Sequence, residues 1–161
     1  MAHSVPRKKG QHVGKTKRGK GTKIMAISDR SGHPVAVYID SASPAECRLV
    51  EKTVEKSLID LNGILLIADK AYDSDPLDQT MMELYNISIV SPHKSNRVKP
   101  PTQDGRQLRR YIRRWKIERV FAWLHNYRRL VTRWDYKSEN FLQFIQLAMM
   151  KLTLNRFWDR F

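Results

Sequence analysis

The stretch GILLIADKAYDSD, residues 63–75, decides the fold class of this chain. The uninterrupted aliphatic run from Ile64 to Ala68 is typical of a strand that is buried on both faces. The run ends on Asp69, and open α/β sheets place their ligand sites at the carboxyl ends of such strands. The residues alone leave two interpretations of Asp69 open: it forms a turn, or it is a ligand of a metal ion.

Asp73 and Asp75 follow where a helix is predicted to begin, with Pro76 in its first turn. Carboxylates at a helix N-terminus accept hydrogen bonds from free backbone N–H groups and interact favourably with the helix dipole. We therefore predict that Asp73 and Asp75 cap this helix.

Strands and helices alternate on both sides of this stretch. Ser43, Pro44 and Glu46 form a helix start with a cap, an early proline and an acidic residue. The order β-β-α-β-α-β-α-α predicts an α/β fold with a hairpin followed by parallel crossovers. The predicted elements are strands at 22–29 and 34–40, a helix at 43–60, a strand at 63–69, a helix at 74–86, a strand at 87–93, and helices at 106–130 and 138–161.

Length and charge bound the function. With 161 residues and a hydrophobic fraction of 41%, the chain is long enough for one domain with a substantial core. A net charge of +14 favours a polyanionic partner, with nucleic acid ahead of an acidic membrane. No apolar run reaches the roughly 18 residues of a transmembrane helix, and no signal peptide is visible. We expect a soluble, cytoplasmic, nucleoid-associated protein with no membrane partner.

The charge is concentrated in two basic blocks around an acidic middle. Residues 1–23 hold eight Lys or Arg and no acid, whereas residues 40–85 hold ten acids against four basic residues. Residues 94–133 hold thirteen Lys or Arg against two acids. This distribution suits a protein that binds phosphate backbones and acts on them.

The Gly- and Lys-rich segment 1–21 is predicted to be a loop-like basic arm. Its GKTK sequence resembles part of a phosphate-binding loop, but three residues separate Gly10 from Gly14 where that motif needs four. No apolar strand precedes it and no helix-like run follows, so an arm that contacts DNA is the better interpretation. The predicted DNA-binding residues of the arm are Lys15, Lys17, Arg18 and Lys20.

One acidic residue stands in the basic helix predicted at 106–130. At 100° per residue, Tyr111, Arg114 and His125 all lie within about 40° of Glu118 around the helix axis. An arginine and a glutamate four residues apart can also form an ordinary ion pair on a helix surface. The spacing alone does not decide between that pair and a functional stripe.

Together, three motifs resemble the catalytic domain of bacterial insertion-sequence transposases of the DDE type, closest to the IS-five-like group. The resemblance covers nearly the whole chain. The family's helix signature, Tyr-x2-Arg-x3-Glu-x6-Lys, reads here as Tyr111, Arg114 and Glu118, with His125 in place of Lys. The other two motifs are GKTKRGKGTKI at 14–24 and IADKAYDSD at 67–75.

The resemblance implies an RNase H-like fold, a mixed sheet flanked by helices, over residues 22–161. It implies that Asp69 and Glu118 are the second and third of three catalytic carboxylates, which hold paired Mg²⁺ or Mn²⁺ ions. Such ions activate an attacking oxygen and stabilise the leaving one at a phosphodiester, and hard oxygen ligands suit both metals. Tyr111 and Arg114 would contact the DNA backbone, as would His125, for which a surface or packing role stays open.

One part of the family pattern is not present in this sequence. The family's first catalytic Asp lies on the first strand, ahead of the KKG of the arm, and MAHSVPRKKG contains no acid. We therefore expect the fold to lack its first strand, as the C-terminal part of a transposase joined to an upstream reading-frame product. Asp29 and Asp40 are candidates for a substitute, although both are predicted to be turn residues.

The expected function is metal-dependent DNA cleavage and strand transfer at insertion-sequence ends. Its partners would be double-stranded DNA, as element ends and as target, and further copies of the chain in a synaptic homo-oligomer. The alternative is a catalytically inactive DNA-binding transposase fragment, whose affinity comes from counterion release by the basic blocks. A basic structural or RNA-binding protein is a third interpretation, which leaves Asp69 and Glu118 unexplained.

Overall fold

The computed structural model describes residues 1–16, 19–102 and 105–158, and it has the mixed α/β architecture that the sequence predicts. Three 3₁₀ segments, Glu46–Leu49, Lys70–Tyr72 and Arg109–Arg114, connect or extend the regular elements. The strands are β1 (Ala2–Pro6), β2 (Gly14–Thr16), β3 (Gly19–Ser28), β4 (Pro34–Ser41), β5 (Leu65–Ile67) and β6 (Ser88–Val90). The helices are α1 (Val50–Val54), α2 (Asp75–Tyr85), α3 (Gly105–Leu108), α4 (Trp115–Leu124), α5 (Arg128–Val131) and α6 (Ser138–Trp158).

The larger sheet is built around β3. Thr22 pairs with Ser41 of β4 and with Val5 of β1, so β4 and β1 lie on opposite edges of β3. The short β2 pairs with the first residues of β3, and all these pairings are antiparallel. The predicted hairpin of β3 and β4 is confirmed. Its turn is held by Asp29, whose Oδ1 accepts from the backbone N–H groups of Ser31 and His33, both at 2.8 Å.

The N-terminal segment differs from the predicted loop-like arm, because β1 and β2 are strands. The predicted element order, which begins at the hairpin, therefore misses two short strands. The close approach of β1 depends on Gly21, where an added Cβ would lie 2.5 Å from the carbonyl oxygen of Val5. The sequence signal was weak because Val5 is the one buried residue among the five of β1.

The smaller sheet pairs β5 with β6 in parallel, and α2 forms the crossover between them. The predicted burial of β5 on both faces is wrong, since Leu65, Leu66 and Ile67 are each only partly buried. A cavity beside this strand leaves the three aliphatic side chains incompletely covered.

Asp73 and Asp75 bind the loop after β6 and do not cap α2 with their side chains. The helix begins after Ser74, which makes no side-chain capping bond. The buried carboxylate of Asp73 accepts from His93 Nδ1 and the Lys94 backbone N–H, both at 2.8 Å. Burial acts to raise the pKa of Asp73, but these hydrogen bonds outweigh it and lower that pKa.

The side-chain oxygens of Asp75 pair with the Arg97 guanidinium and the Lys99 ammonium.

Two predicted helices are shorter or more broken than expected. The helix predicted at 43–60 is reduced to a 3₁₀ turn followed by α1. The helix predicted at 106–130 is divided into α3, the 3₁₀ segment Arg109–Arg114, α4 and α5. The last predicted helix is confirmed as α6, and the end of its predicted range, 159–161, lies outside the described residues.

Alternate residues of β3 pack on opposite faces of the sheet, as the two-residue period of a strand requires. Ile24 and Ala26 pack with residues of α4 and α6 in one hydrophobic core. Met25 and Ile27 pack with residues of α1, α2 and the smaller sheet in a second core. The larger sheet is therefore covered on both faces.

Arg133, which is 1% exposed, connects the N-terminal segment to the start of α6. Its guanidinium donates to the carbonyl of Gln11 at 2.6 Å, to the hydroxyl of Thr22 at 2.6 Å and to the carbonyls of Asp135 and Tyr136, both at 2.9 Å. A buried guanidinium is tolerated when, as here, each of its three nitrogen atoms donates a hydrogen bond.

We expect Arg133→Ala to lower the free energy of unfolding by roughly 3–5 kcal/mol, because it leaves one buried and three partly buried acceptors without their donor. Urea denaturation measures the loss. Arg128→Ala, at an exposed position on the same connection, serves as the control and is expected to change the free energy by less than about 0.5 kcal/mol. Equal losses in the two variants would contradict a structural role for the Arg133 guanidinium.

The α-amino group of Met1 is buried and donates to the Ala26 carbonyl at 3.2 Å. Burial lowers the pKa of this group from 8.0 to about 6, and the nearby carboxylates of Glu46 and Asp69 only partly oppose that effect. The unfolded chain therefore binds a proton between pH 8 and pH 6 that the folded chain does not bind.

We expect the 161-residue chain to lose roughly 2–3 kcal/mol of folding stability as pH falls from about 8 to about 6, because each pH unit of pKa difference is worth about 1.4 kcal/mol. Below that window the contribution is constant. Urea denaturation at several pH values measures it, and a chain acetylated on Met1, which lacks the ionisable amine, is the matched control. The same pH dependence in the acetylated chain would assign the effect to the histidines.

Candidate functional site

Asp69 lies two residues after the end of β5, near the strand end that the sequence predicts, and its side chain caps the 3₁₀ segment Lys70–Tyr72. Its Oδ1 atom accepts from the Lys70 backbone N–H at 2.6 Å. The carboxylate therefore fixes the turn at the end of the strand. Its side chain remains 37% exposed, so the oxygen atoms stay accessible to solvent and to a ligand.

Tyr111 and Arg114 are brought to Asp69 by the 3₁₀ segment Arg109–Arg114. Residues three apart eclipse one another in a 3₁₀ helix, so these two side chains point in the same direction. The Tyr111 hydroxyl donates to Asp69 Oδ1 at 3.1 Å, and Arg114 Nη1 donates to the Tyr111 hydroxyl at 2.5 Å. Burial, followed by the charge of Asp69, raises the pKa of Tyr111.

Arg114 bridges the two predicted catalytic carboxylates. Its Nη1 lies 3.3 Å from Asp69 Oδ2, and its Nε lies 3.2 Å from Glu118 Oε1. Glu118 stands in the first turn of α4 and its side chain is 49% exposed. Arg114 therefore makes both the i, i+4 ion pair with Glu118 and an ion pair with Asp69, which follows a distant strand. Hydrogen bonds and ion pairs join four side chains into one group, which we call the carboxylate site: Asp69, Tyr111, Arg114 and Glu118.

His125 is not part of the carboxylate site. It follows α4, and its Nε2 lies 2.9 Å from Nε2 of His3 on β1. Burial, and then the charge of His125, lowers the pKa of His3. His125 is absent from the site because Glu118 stands in the first turn of α4 and His125 is the C-cap residue of the same helix, roughly 10 Å further along its axis.

A basic groove lies between the N-terminal segment and the end of β4. Lys15 and Lys20 line it, with Lys8 and Lys9, which the sequence analysis did not single out. Ser43 lies opposite, and its hydroxyl accepts from the Lys15 backbone N–H at 2.9 Å. The high density of lysine in KKGQHVGK, residues 8–15, was the sequence signal that could have predicted this groove. The other two predicted arm residues, Lys17 and Arg18, lie outside the described residues.

A second set of cations lines the same cavity as Arg114 and was not predicted from the sequence. Arg110, Arg113 and Lys116 line a cavity of about 540 Å³ between β3 and β5. The arginine pairs in RRYIRR, residues 109–114, were the sequence signal for this set. Their placement depends on the 3₁₀ conformation of this segment, which the sequence pattern did not predict.

The carboxylate site offers the type of ligand that a hard divalent cation prefers, because Asp69 and Glu118 are accessible carboxylates. Their number is small: no group of three or more His, Cys, Asp or Glu residues that could hold a metal occurs in the ranges 1–16, 19–102 and 105–158. Asp29 and Asp40 are engaged elsewhere. Asp29 holds the hairpin turn, and Asp40, near the end of β4, accepts from the Tyr38 hydroxyl at 2.8 Å.

The family model described as Transposase DDE domain matches residues 2–152. The chain belongs to this transposase family. A curated relative from Burkholderia cepacia, named as a transposase for insertion sequence element IS402, is 22% identical over 144 residues. That similarity covers 84% of this chain and 64% of the relative, so the chain spans less than two thirds of the relative's length. No solved structure matches the chain.

Family membership confirms the predicted resemblance to insertion-sequence transposases of the DDE type. Assignment to the IS-five-like group stays a prediction. No helix among the described residues is long and apolar enough to cross a membrane.

We expect the carboxylate site to bind Mn²⁺ weakly, with Asp69→Asn and Glu118→Gln each lowering the affinity at least about tenfold, since each removes one charged oxygen ligand. Arg114→Gln is expected to raise the affinity by about tenfold, because it removes a competing positive charge. Paramagnetic relaxation of solvent water measures the affinity. Glu139→Gln, at an exposed position on α6, is the control, and an equal loss there would contradict binding at this site.

Proposed function

We propose that this chain is the DNA-cleaving and DNA-joining part of an insertion-sequence transposase, acting on element ends and target DNA. One observation carries the proposal: Asp69 after β5 and Glu118 on α4 contact the same Arg114 guanidinium, at 3.3 and 3.2 Å. Two distant parts of the chain thus bring exposed carboxylates to one place. The family match over residues 2–152 supports the same reading.

We further infer an RNase H-like arrangement of the domain. Strand β3 lies between β1 and β4 and pairs with both in antiparallel fashion. Two parallel strands, β5 and β6, follow in the chain, with a helix between them. Helices α4 and α6 cover one face of the larger sheet. This order supports the inference, and Asp69 then lies at the end of a central strand.

Asp69 and Glu118 would hold a divalent cation, Mg²⁺ or Mn²⁺, between their accessible oxygens. Such a cation supplies charge stabilisation at a phosphodiester and lowers the pKa of bound water. Arg114 maintains the two carboxylates near each other, and its guanidinium is able to exchange one of them for a DNA phosphate of similar geometry. The arginine therefore acts as a counterion before DNA binds and as a phosphate ligand afterwards.

Tyr111 orients Asp69 through its hydroxyl donor, and its ring stacks beneath the Arg114 guanidinium, with the guanidinium carbon 4.9 Å from the ring centroid. Both contacts restrict the direction in which the carboxylate and the arginine point. Such restriction of the groups around a reacting phosphate is a general source of catalytic rate.

Lysines of the basic groove would bind the DNA backbone away from the scissile bond. The four described lysines of the groove, Lys8, Lys9, Lys15 and Lys20, supply charge without a geometry that reads base sequence. A role for Lys17, Arg18 and His125 in DNA binding, a synaptic homo-oligomer and a contribution from an upstream reading frame remain predictions.

The second candidate function is DNA binding without catalysis. One observation favours it: within the described ranges, the carboxylate site has two acidic residues and lacks a third. The basic groove would still bind DNA in a salt-dependent way.

The test uses DNA that carries the ends of the parent element, with the chain expressed together with its natural upstream sequence. We expect cleavage that requires Mg²⁺ or Mn²⁺, and we expect Asp69→Asn and Glu118→Gln each to lower its rate at least about 100-fold, since both remove a ligand that acts in the transition state. Glu139→Gln is the control and should cleave at the unmodified rate. Gel analysis of end-labelled DNA measures the rate.

Cleavage at the full rate by both site variants would overturn the proposed roles of Asp69 and Glu118. Salt-dependent DNA binding with no metal-dependent cleavage by the unmodified protein would favour the second candidate. Loss of binding in the Glu139 control would indicate a folding defect, which circular dichroism of each variant checks in advance.

A further inference from the structure

The segment between α5 and α6 presents two large aromatic side chains to solvent. Trp134 is 66% exposed and Tyr136 is 65% exposed. The side chains that alternate with them are covered: Arg133 is buried, and the Asp135 carboxylate, 8% exposed, pairs with Arg129 at 3.0 Å. This alternation is that of an extended segment, in which residues two apart share one side. Trp134 and Tyr136 therefore lie together on the outer side.

Two arginines fix the backbone of this segment. Arg7 Nη1 donates to the carbonyl oxygens of Arg133 and Trp134, at 3.3 and 2.6 Å. The guanidinium of Arg133 donates to the next two carbonyls, those of Asp135 and Tyr136, both at 2.9 Å. Guanidinium groups thus hold every carbonyl from residue 133 to residue 136. The two rings, which we call the aromatic platform, project from a fixed backbone.

The aromatic platform adjoins the basic groove. Gly10 lines the groove, and a Cβ added to Gly10 would lie 2.9 Å from the carbonyl oxygen of Tyr136. The φ of Gly10 is +132°, a conformation that also favours glycine. The Gln11 N–H donates to the same Tyr136 carbonyl at 3.3 Å. Lys8 and Lys9, which precede Gly10 and are exposed, are thereby held next to the platform.

Exposed aromatic rings are used by protein interfaces and by nucleic-acid interfaces, and the charge of this surface decides between them. The groove side of the platform belongs to residues 1–23, which hold eight Lys or Arg and no acid. Lysines bind phosphates, and aromatic rings stack on bases whose faces are open. In a duplex those faces are covered by the neighbouring base pairs. Rings and lysines side by side therefore match a single strand better than a duplex.

We propose that the aromatic platform and the basic groove together bind an unpaired nucleic-acid strand. Its bases stack on Trp134 and Tyr136, while its phosphates contact Lys8 and Lys9. Every base has a ring face, so this binding shows little sequence preference. The inference rests on the proposed binding of DNA phosphates by the basic groove, to which it adds the rings. It uses no residue of the carboxylate site.

The test measures how tightly the 161-residue chain binds labelled oligodeoxythymidine and oligouridine of about 12 nucleotides, a length within the range of single-strand sites. A DNA duplex of the same length is the third ligand. Fluorescence anisotropy at one fixed salt concentration gives the three affinities, because phosphate contacts depend on salt. Both single strands are included because DNA and RNA share stacking and phosphate chemistry, and a preference for one of them identifies the source of the strand.

The variants separate the rings from the lysines. Trp134→Ala removes a ring, and Trp134→Leu removes it while keeping a large apolar side chain. Trp158→Ala is the matched control, because Trp158 is 72% exposed but lies at the other end of α6, about 30 Å from the start of that helix. Lys8→Gln removes one charge of the groove and leaves both rings in place. Circular dichroism checks the fold of each variant.

We expect Trp134→Ala and Trp134→Leu each to lower the affinity for a single strand at least about tenfold, since one stacked base is lost. The affinity for the duplex should change less than about twofold in both variants. Trp158→Ala should leave all three affinities unchanged. Lys8→Gln should lower the affinities for single strands and for the duplex alike, because both present phosphates.

An unchanged single-strand affinity in Trp134→Leu, or equal losses for single strands and duplex in that variant, would overturn the proposal. Binding of the duplex alone by the unmodified chain would overturn it as well, and would leave the proposed role of the groove intact. Absence of binding to any of the three ligands would overturn both, and would assign the rings to a protein partner. DNA cleavage is not measured, so failure of the proposed catalytic role is a separate result.

Discussion

The pairing of β3 determines where everything else in this domain lies. One edge of this strand is used by β4 and β2 along its whole length, whereas β1 uses the other edge only as far as Ala26. The two faces of the strand are divided between two cores through alternate residues. The cavity that Arg114 of the carboxylate site lines lies beside the unused part of the second edge.

The carboxylate site is organised by a cation that the chain itself provides. Asp69 and Glu118 would repel each other without compensation, and Arg114 lies between them at ion-pair distance from both. All three side chains are partly exposed, so the pairs are weak enough to exchange with a ligand. A site that is ordered by a replaceable ion pair combines definite geometry with access for a charged substrate.

Patterns of apolar, turn and capping residues correctly predicted those strands and helices that such patterns mark within one segment. Strand β3, strand β4 and helix α2 were predicted near their observed places, and so was the position of Asp69 at a strand end. Only the family resemblance could predict that Asp69 lies close to Arg114 and Glu118, because the spacing of residues along the chain does not determine the distance between separate elements.

Contacts between distant segments were the main source of error. β1 exists because Gly21 admits it and Val5 is buried, which no periodicity in MAHSVP reveals. His125 lies at the other end of α4 from Glu118, about two helical turns away, so a shared stripe on one helix did not mean a shared site. Arg133 illustrates a last consequence of such contacts. Because one guanidinium joins the loop at Gln11 to the turn at Tyr136, the first residues and the start of the last helix form a single cooperative unit, and opening either one transiently exposes the other.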